Sequence, residues 1–223
     1  MPIYTKNANS ILFIHIPKTG GSSLEKMVIG EGWSEHFCVR GKSLRDIPYY
    51  KTTPQHLHSE GLSQFFNFEE FNHVITIVRD PFSRLKSEYY WQQSRKLSRL
   101  GVEEWIDQTF SLYKENPYIY DNHIRPQVEF IPDIKNICIF KIEENGVQKA
   151  LELFQSYRIN ASNFSKWWLK VSRQLFHSKY EKQSIRNPET DHKFLSFHEQ
   201  ILNFYQSDYT AFDYSTLPPV GAL

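Results

Sequence analysis

Residues 11–26, ILFIHIPKTGGSSLEK, restrict the possible folds of this chain more than any other stretch. Ile11, Leu12, Phe13 and Ile14 form an apolar run of strand formers, and Pro17, which has no N–H to give to a ladder, ends the pairing. Beyond Gly20 and Gly21, the residues Leu24, Met27 and Val28 recur at the spacing of one apolar helix face. A strand, a glycine turn and a helix in that order have a physical use. Glycines let a ligand approach the backbone closely, and the first N–H groups of a helix have no partner within it. Those amides, the helix dipole, the Ser22 and Ser23 hydroxyls and the Lys18 ammonium can together hold a phosphate or sulfate group. A plainer alternative is a tight Gly-Gly turn with Ser22 as helix N-cap. It leaves the coincidence of strand, lysine, glycine pair and hydroxyls unexplained. The spacing is not that of a Walker A loop, in which lysine follows the second glycine; here it precedes both.

A second stretch repeats the arrangement. Residues 73–78, HVITIV, form another short β-branched run, which leads into RDPFSRLKSEY. Asp80 suits an N-cap and Pro81 the first helical position. The helix period turns Phe82, Leu85 and Tyr89 toward the core and Arg84, Lys86 and Glu88 elsewhere. Arg79 then stands at the carboxyl end of a strand, where open α/β sheets bind ligands, and Ser87 lies about two turns along the helix. An ordinary capped helix with a surface arginine explains the cap but not the pairing with the first loop.

Other strands and helices are weaker. Short strands are expected at 36–39 and 136–140, and helices at 59–66, 81–97, 102–110, 144–157, 162–176 and 192–212. Three strands each followed by a helix argue for a parallel sheet with helices on both faces. The 223 residues suit a single domain, with 1–10 and 216–223 as peripheral tails. A net charge of +1 gives no broad field to recruit nucleic acid, so any basic site must be local. Two cysteines are too few for a disulfide framework or a zinc site, and no apolar run approaches the length of a membrane span. The first ten residues lack a basic-then-apolar signal pattern.

HIPKTGGSSL resembles the loop that grips the 5'-phosphosulfate of PAPS (3'-phosphoadenosine 5'-phosphosulfate) in carbohydrate sulfotransferases, in particular the heparan-sulfate 2-O-sulfotransferase-like group of sulfotransferase family 2. VRDPFSRLKSEY resembles that family's 3'-phosphate motif, whose arginine and serine match Arg79 and Ser87. The resemblance implies an α/β, P-loop-like three-layer fold with a central parallel sheet flanked by helices. It implies transfer of a sulfuryl group from PAPS to an acceptor hydroxyl, with 3',5'-ADP as product and no metal required. Donor contacts then fall to Lys18, Thr19, Gly20, Gly21, Ser22, Ser23, Arg79 and Ser87, with Lys18 also catalytic. A histidine between the two motifs serves the family as general base; His56 is the better positional match and His58 the reserve, against the plain alternative of a surface or hydrogen-bonded histidine.

Residues 122–127, NHIRPQ, resemble a third family block beside acceptor and cofactor, which makes His123, Arg125 and Gln127 substrate candidates; a solvated loop is the alternative. Family members also close a loop over the cofactor near residues 177–190. Lys179, Lys182, Ser184 or Arg186 would serve there, unless the segment is simply surface. The analogy favours a glycan or glycoconjugate acceptor. Animal members carry an N-terminal anchor, and a chain beginning as this one does is expected to be cytoplasmic, plausibly bacterial. Two other classes stay open: a nucleotide or sugar kinase, whose Walker lysine and acidic magnesium ligands are not found in order, and a non-catalytic nucleotide- or carbohydrate-binding module.

Overall fold

The computed structural model describes residues 2–39, 41–42, 44–157 and 187–218. Its centre is a five-stranded sheet in the order β3-β1-β2-β4-β5. The strands are β1 (Ile3–Lys6), β2 (Asn9–Ile14), β3 (Ser34–His36), β4 (His73–Val78) and β5 (Ile137–Lys141). β2, β4 and β5 run parallel, with Phe13 opposite Ile75 and Ile75 opposite Cys138, while β1 is antiparallel to both of its neighbours. The mixed α/β architecture with a mostly parallel sheet between helices is the one anticipated for the chain.

Strand alternation assigns the two faces. Ile11, Phe13, Ile75 and Ile77 pack with Leu24 and Val28 of α1 (Gly21–Gly30) and with Ala150, Leu151 and Phe154 of α5 (Gly146–Ser156). Leu12, Ile14, Val74 and Val78 face the other way, onto Leu62 of α2 (Ser59–Phe65), Phe130 and Phe212. All four residues from Ile11 to Ile14 are fully buried. At about 1.5–3 kcal/mol for each such side chain, this run fixes the strand that delivers the glycine loop. A separate cluster joins α3 (Pro81–Ser94) and α4 (Val102–Glu115) to α6 (Pro188–Leu195), α7 (His198–Phe204) and α8 (Gln206–Ala211). Trp105 and Tyr205 are buried in it, and Phe110 stacks on Phe204 with centroids 4.0 Å apart.

Several expectations need correction. Residues 1–10 are no peripheral tail: β1 forms a hairpin with β2, and Tyr4 is fully buried. Its two-residue turn has Asn7 at φ 54°, a left-handed position that asparagine tolerates. The strand expected at 36–39 is Ser34–His36, and the helix expected at 81–97 stops at Ser94. The single terminal helix expected at 192–212 is three short ones. Arg84 and Glu88 do not face away from the interior; they are 1% and 0% exposed, because the polar side of α3 lies under the site. The expected helix at 162–176 and Lys179, Lys182, Ser184 and Arg186 lie outside the described residues, as do 219–223. Among the described residues no helix is long and apolar enough to cross a membrane.

Candidate active site

The turn after β2 is shaped by close contacts. Thr19 is fully buried and its hydroxyl donates to the Ile16 carbonyl at 2.8 Å, so it folds the loop rather than facing a ligand. Gly20 has φ 92° and is the N-cap of α1, which removes Ser22 from that role. Gly21 is required by packing: a Cβ there would lie 2.6 Å from the His15 ring. The first amides of α1 are therefore available at the loop, beside Lys18.

A cavity of about 1350 Å³ opens on this loop. Lys18, Gly20, Gly21, Ser22 and Ser23 line it, and so do Arg79 and Ser87. Both motifs thus meet in one cavity at the carboxyl ends of neighbouring parallel strands, β2 and β4. They also touch, the Arg79 Nη1 donating to the Lys18 carbonyl at 3.2 Å. Lys26, Lys42, Arg45 and Arg99 add positive charge to the walls, so the site is locally basic although the chain is nearly neutral.

His56 lines the same cavity, presented by a single 3₁₀ turn (Pro54–His56). Its Nδ1 is 2.7 Å from Asp121 Oδ2. Asp121 also accepts from the Thr52 hydroxyl at 2.7 Å, the Thr53 amide at 2.6 Å and the Thr53 hydroxyl at 2.7 Å. Asn122 Nδ2 donates to the His56 carbonyl at 2.8 Å, which grips the residue from its other side. Tyr120, Asp121 and Asn122 all have left-handed backbones, with φ of 50°, 59° and 64°. Three such residues in succession cost about 1–3 kcal/mol each, an expense that tertiary contacts must outweigh to aim the carboxylate.

His123 also lines the cavity. Its Nδ1 lies 2.7 Å from Glu88 Oε2, and the rings of His56 and Trp91 stand 5.0 and 5.2 Å from its own. Lys18 Nζ rests 5.1 Å from the Trp91 centroid. His15, its ring 5.2 Å from that of His56, is held through Nδ1 by Glu25 at 2.5 Å. His56, Asp121 and His123 bring one potential ligand atom each within 4.8 Å of one another, a spacing a cation can use. Asp121, however, spends both oxygens on hydrogen bonds with Thr52, Thr53 and His56.

The other candidates stand apart. His58 is buried outside the cavity lining, its ring 5.7 Å from Tyr118 and its Nε2 3.5 Å from Glu60. Arg125 is buried between Asn122, Glu129 and the Tyr118 ring. Gln127 is fully buried and clamps the backbone of Arg79 from both sides: the Arg79 amide donates to its Oε1 at 2.9 Å and its Nε2 donates to the Arg79 carbonyl at 2.8 Å. Neither Arg125 nor Gln127 lines the cavity; Gln127 positions Arg79. Asp121, Glu88, His15, Glu25 and Trp91 were not singled out from sequence. Their only signal there was nearness to the motifs.

The electrostatics follow from burial. Burial pushes the Lys18 ammonium down to about 8, with Glu88 holding it up against Arg79 and Arg95. Burial lowers His56 to about 4 despite its bond to Asp121, so the ring is neutral near pH 7 with Nδ1–H given to the carboxylate. Burial works to raise Asp121, but the bond and charge of His56 and the Thr53 bonds hold it well below the usual carboxylate range. Glu88, likewise pushed up by burial, is kept low by His123 and Lys18.

An amide cradle, an arginine and a carboxylate-held imidazole thus meet in one cavity at the carboxyl ends of the parallel strands. The chain belongs to the sulfotransferase family, whose sequence model matches residues 1–215. It is accordingly an enzyme of sulfuryl transfer, taking sulfate from a donor nucleotide to a hydroxyl-bearing acceptor. Neither a curated protein nor a solved structure matches the chain.

Proposed function

We propose that the donor is PAPS, that the product is 3',5'-ADP and that the acceptor is a hydroxyl of a glycan or glycoconjugate. The observation that carries this reading is the single cavity shared by the Lys18–Ser23 turn and the Arg79–Ser87 pair. In it, the amides of α1, Lys18 and the serine hydroxyls hold the 5'-phosphosulfate. Arg79 and Ser87 hold the 3'-phosphate, binding energy that positions the donor without touching the reacting bond. The acceptor oxygen attacks sulfur in line with the departing phosphate oxygen. Its proton passes to His56 Nε2, and Lys18 neutralises the charge that returns to the phosphate. The transferred group carries less charge than a phosphoryl, so these residues suffice without a metal.

Labelled PAPS offered with a panel of glycans tests the assignment. Transfer should occur without added magnesium, and His56→Ala should lose about 10²–10⁴-fold in kcat while retaining 3',5'-ADP binding. A preference for ATP with magnesium would assign the site to a kinase.

The pH profile gives a second test. The base must be unprotonated and the lysine protonated, so kcat/KM for the donor should fall below about pH 4 and above about pH 8. Lys18→Arg, whose guanidinium stays charged, should lose the part of the alkaline limb that Lys18 sets.

A further inference from the structure

Three imidazoles line the cavity with Nδ1 committed to a carboxylate, those of His15, His56 and His123, and the base accounts for only one. His123, like His56, has Nδ1 committed to a carboxylate. Its supports come from a different place. Glu88 is fully buried, accepts from the His123 Nδ1–H at 2.7 Å and from Gln92 Nε2 at 2.9 Å, and faces the Lys18 charge. One helical turn earlier on α3, Arg84 Nη2 donates to the His123 carbonyl at 2.9 Å and its Nε to the Pro17 carbonyl at 3.0 Å. Arg84 is 1% exposed, so this strut ties the start of the glycine loop to His123 through a side chain with no freedom to move. The helix that carries Ser87 therefore also fixes His123 relative to Lys18. Trp91, packed against both His123 and the Lys18 ammonium, closes the third side. His123 lines the cavity, and with Nδ1 given to Glu88 its Nε2 is the ring nitrogen left for a ligand.

We propose that His123 is a second catalytic residue, whose Nε2–H, oriented by Glu88, donates a hydrogen bond to a non-bridging oxygen of the sulfuryl group as it transfers. The inference rests on the sulfate-donor reading above. In the transfer the acceptor O–S bond forms and the S–O bond to the phosphate breaks. The acceptor proton goes to His56, the electron pair goes to the phosphate oxygen of 3',5'-ADP, and His123 keeps its proton throughout. Glu88 and Trp91 hold the His123 ring, and Arg84 holds its backbone carbonyl. A fixed donor aimed at charge that builds in the transition state is worth about 10²–10³-fold in rate.

Three variants test it. His123→Ala should lower kcat about 10²-fold with KM for PAPS changed by no more than about threefold. His123→Gln places an amide N–H near the former Nε2 and should recover about tenfold of that loss, which a proton acceptor's role would not allow. Glu88→Gln, with its melting temperature compared with wild type, should lower kcat in the same direction through the orientation of His123. Titration with inorganic sulfate, read by calorimetry, gives an arm that does not depend on turnover: binding should weaken about tenfold in His123→Ala and return in His123→Gln. A glutamine variant no better than alanine, or unchanged sulfate affinity in His123→Ala, would overturn the role of His123. If wild type fails to turn over PAPS at all, the donor assignment falls, and sulfate binding alone then decides on His123.

Discussion

Replacing Lys18 with alanine is expected to reduce kcat by about 10²–10³-fold, one of the two largest effects the site allows. The side chain leaves the chain at a left-handed residue, φ 70°, between a buried proline and the glycine pair, so its path into the cavity is set by the loop. In the free enzyme the ammonium sits by the Trp91 face and is opposed by Glu88. Its partial desolvation leaves it weakly attached to water and ready for a phosphate oxygen. The alanine variant loses the charge where the leaving group develops its own, and it also leaves Glu88 with only its His123 and Gln92 hydrogen bonds. Steady-state kinetics with the sulfate donor should place the loss chiefly in kcat. A loss confined to KM would mean that Lys18 binds the donor equally in ground and transition states.

The second large effect concerns the other end of the nucleotide. Arg79→Ala should weaken 3',5'-ADP binding about 10²-fold, equivalent to about 2.7 kcal/mol. The guanidinium is half-buried, it reaches the Lys18 carbonyl, and Gln127 fixes its backbone at both amide and carbonyl. That clamp belongs to the main chain and survives the substitution, so the variant should fold and lose affinity alone. Arg79→Lys keeps the charge but not the fork, and should fall between the two. Calorimetry with 3',5'-ADP reads both. An Arg79→Ala variant that binds as tightly as wild type would remove Arg79 from the 3'-phosphate.

The parts of this protein that could be read from sequence are those specified by neighbours along the chain. β2 and the turn into α1 announce themselves by an apolar run, a proline, two glycines and a helical stripe within eighteen residues. β4 and α3 do the same, and Asp80 caps α3 as its type suggests, its carboxylate accepting from the Ser83 amide at 2.7 Å. β1 was missed because Ile3–Lys6 has one fully buried side chain, Tyr4, in a polar setting; its hairpin shows only in the short turn at Asn7 and Ala8. The polar half of the site was hidden for a different reason. His56 meets Asp121 and His123 meets Glu88 across 65 and 35 residues of sequence, and no periodicity marks such pairs. The same holds for Arg84, placed outward by helical phase alone. In a helix lying under a charged cavity the side facing the ligand is polar and buried at once, so amphipathic phase assigns it to solvent.

A crystal structure of the complex with 3',5'-ADP bears most sharply on the whole proposal. One nucleotide should span the cavity, its 5'-phosphate on the Gly21 and Ser22 amides beside Lys18 and its 3'-phosphate between Arg79 and Ser87. A nucleotide bound with either phosphate elsewhere, or two molecules occupying the two motifs separately, would contradict it.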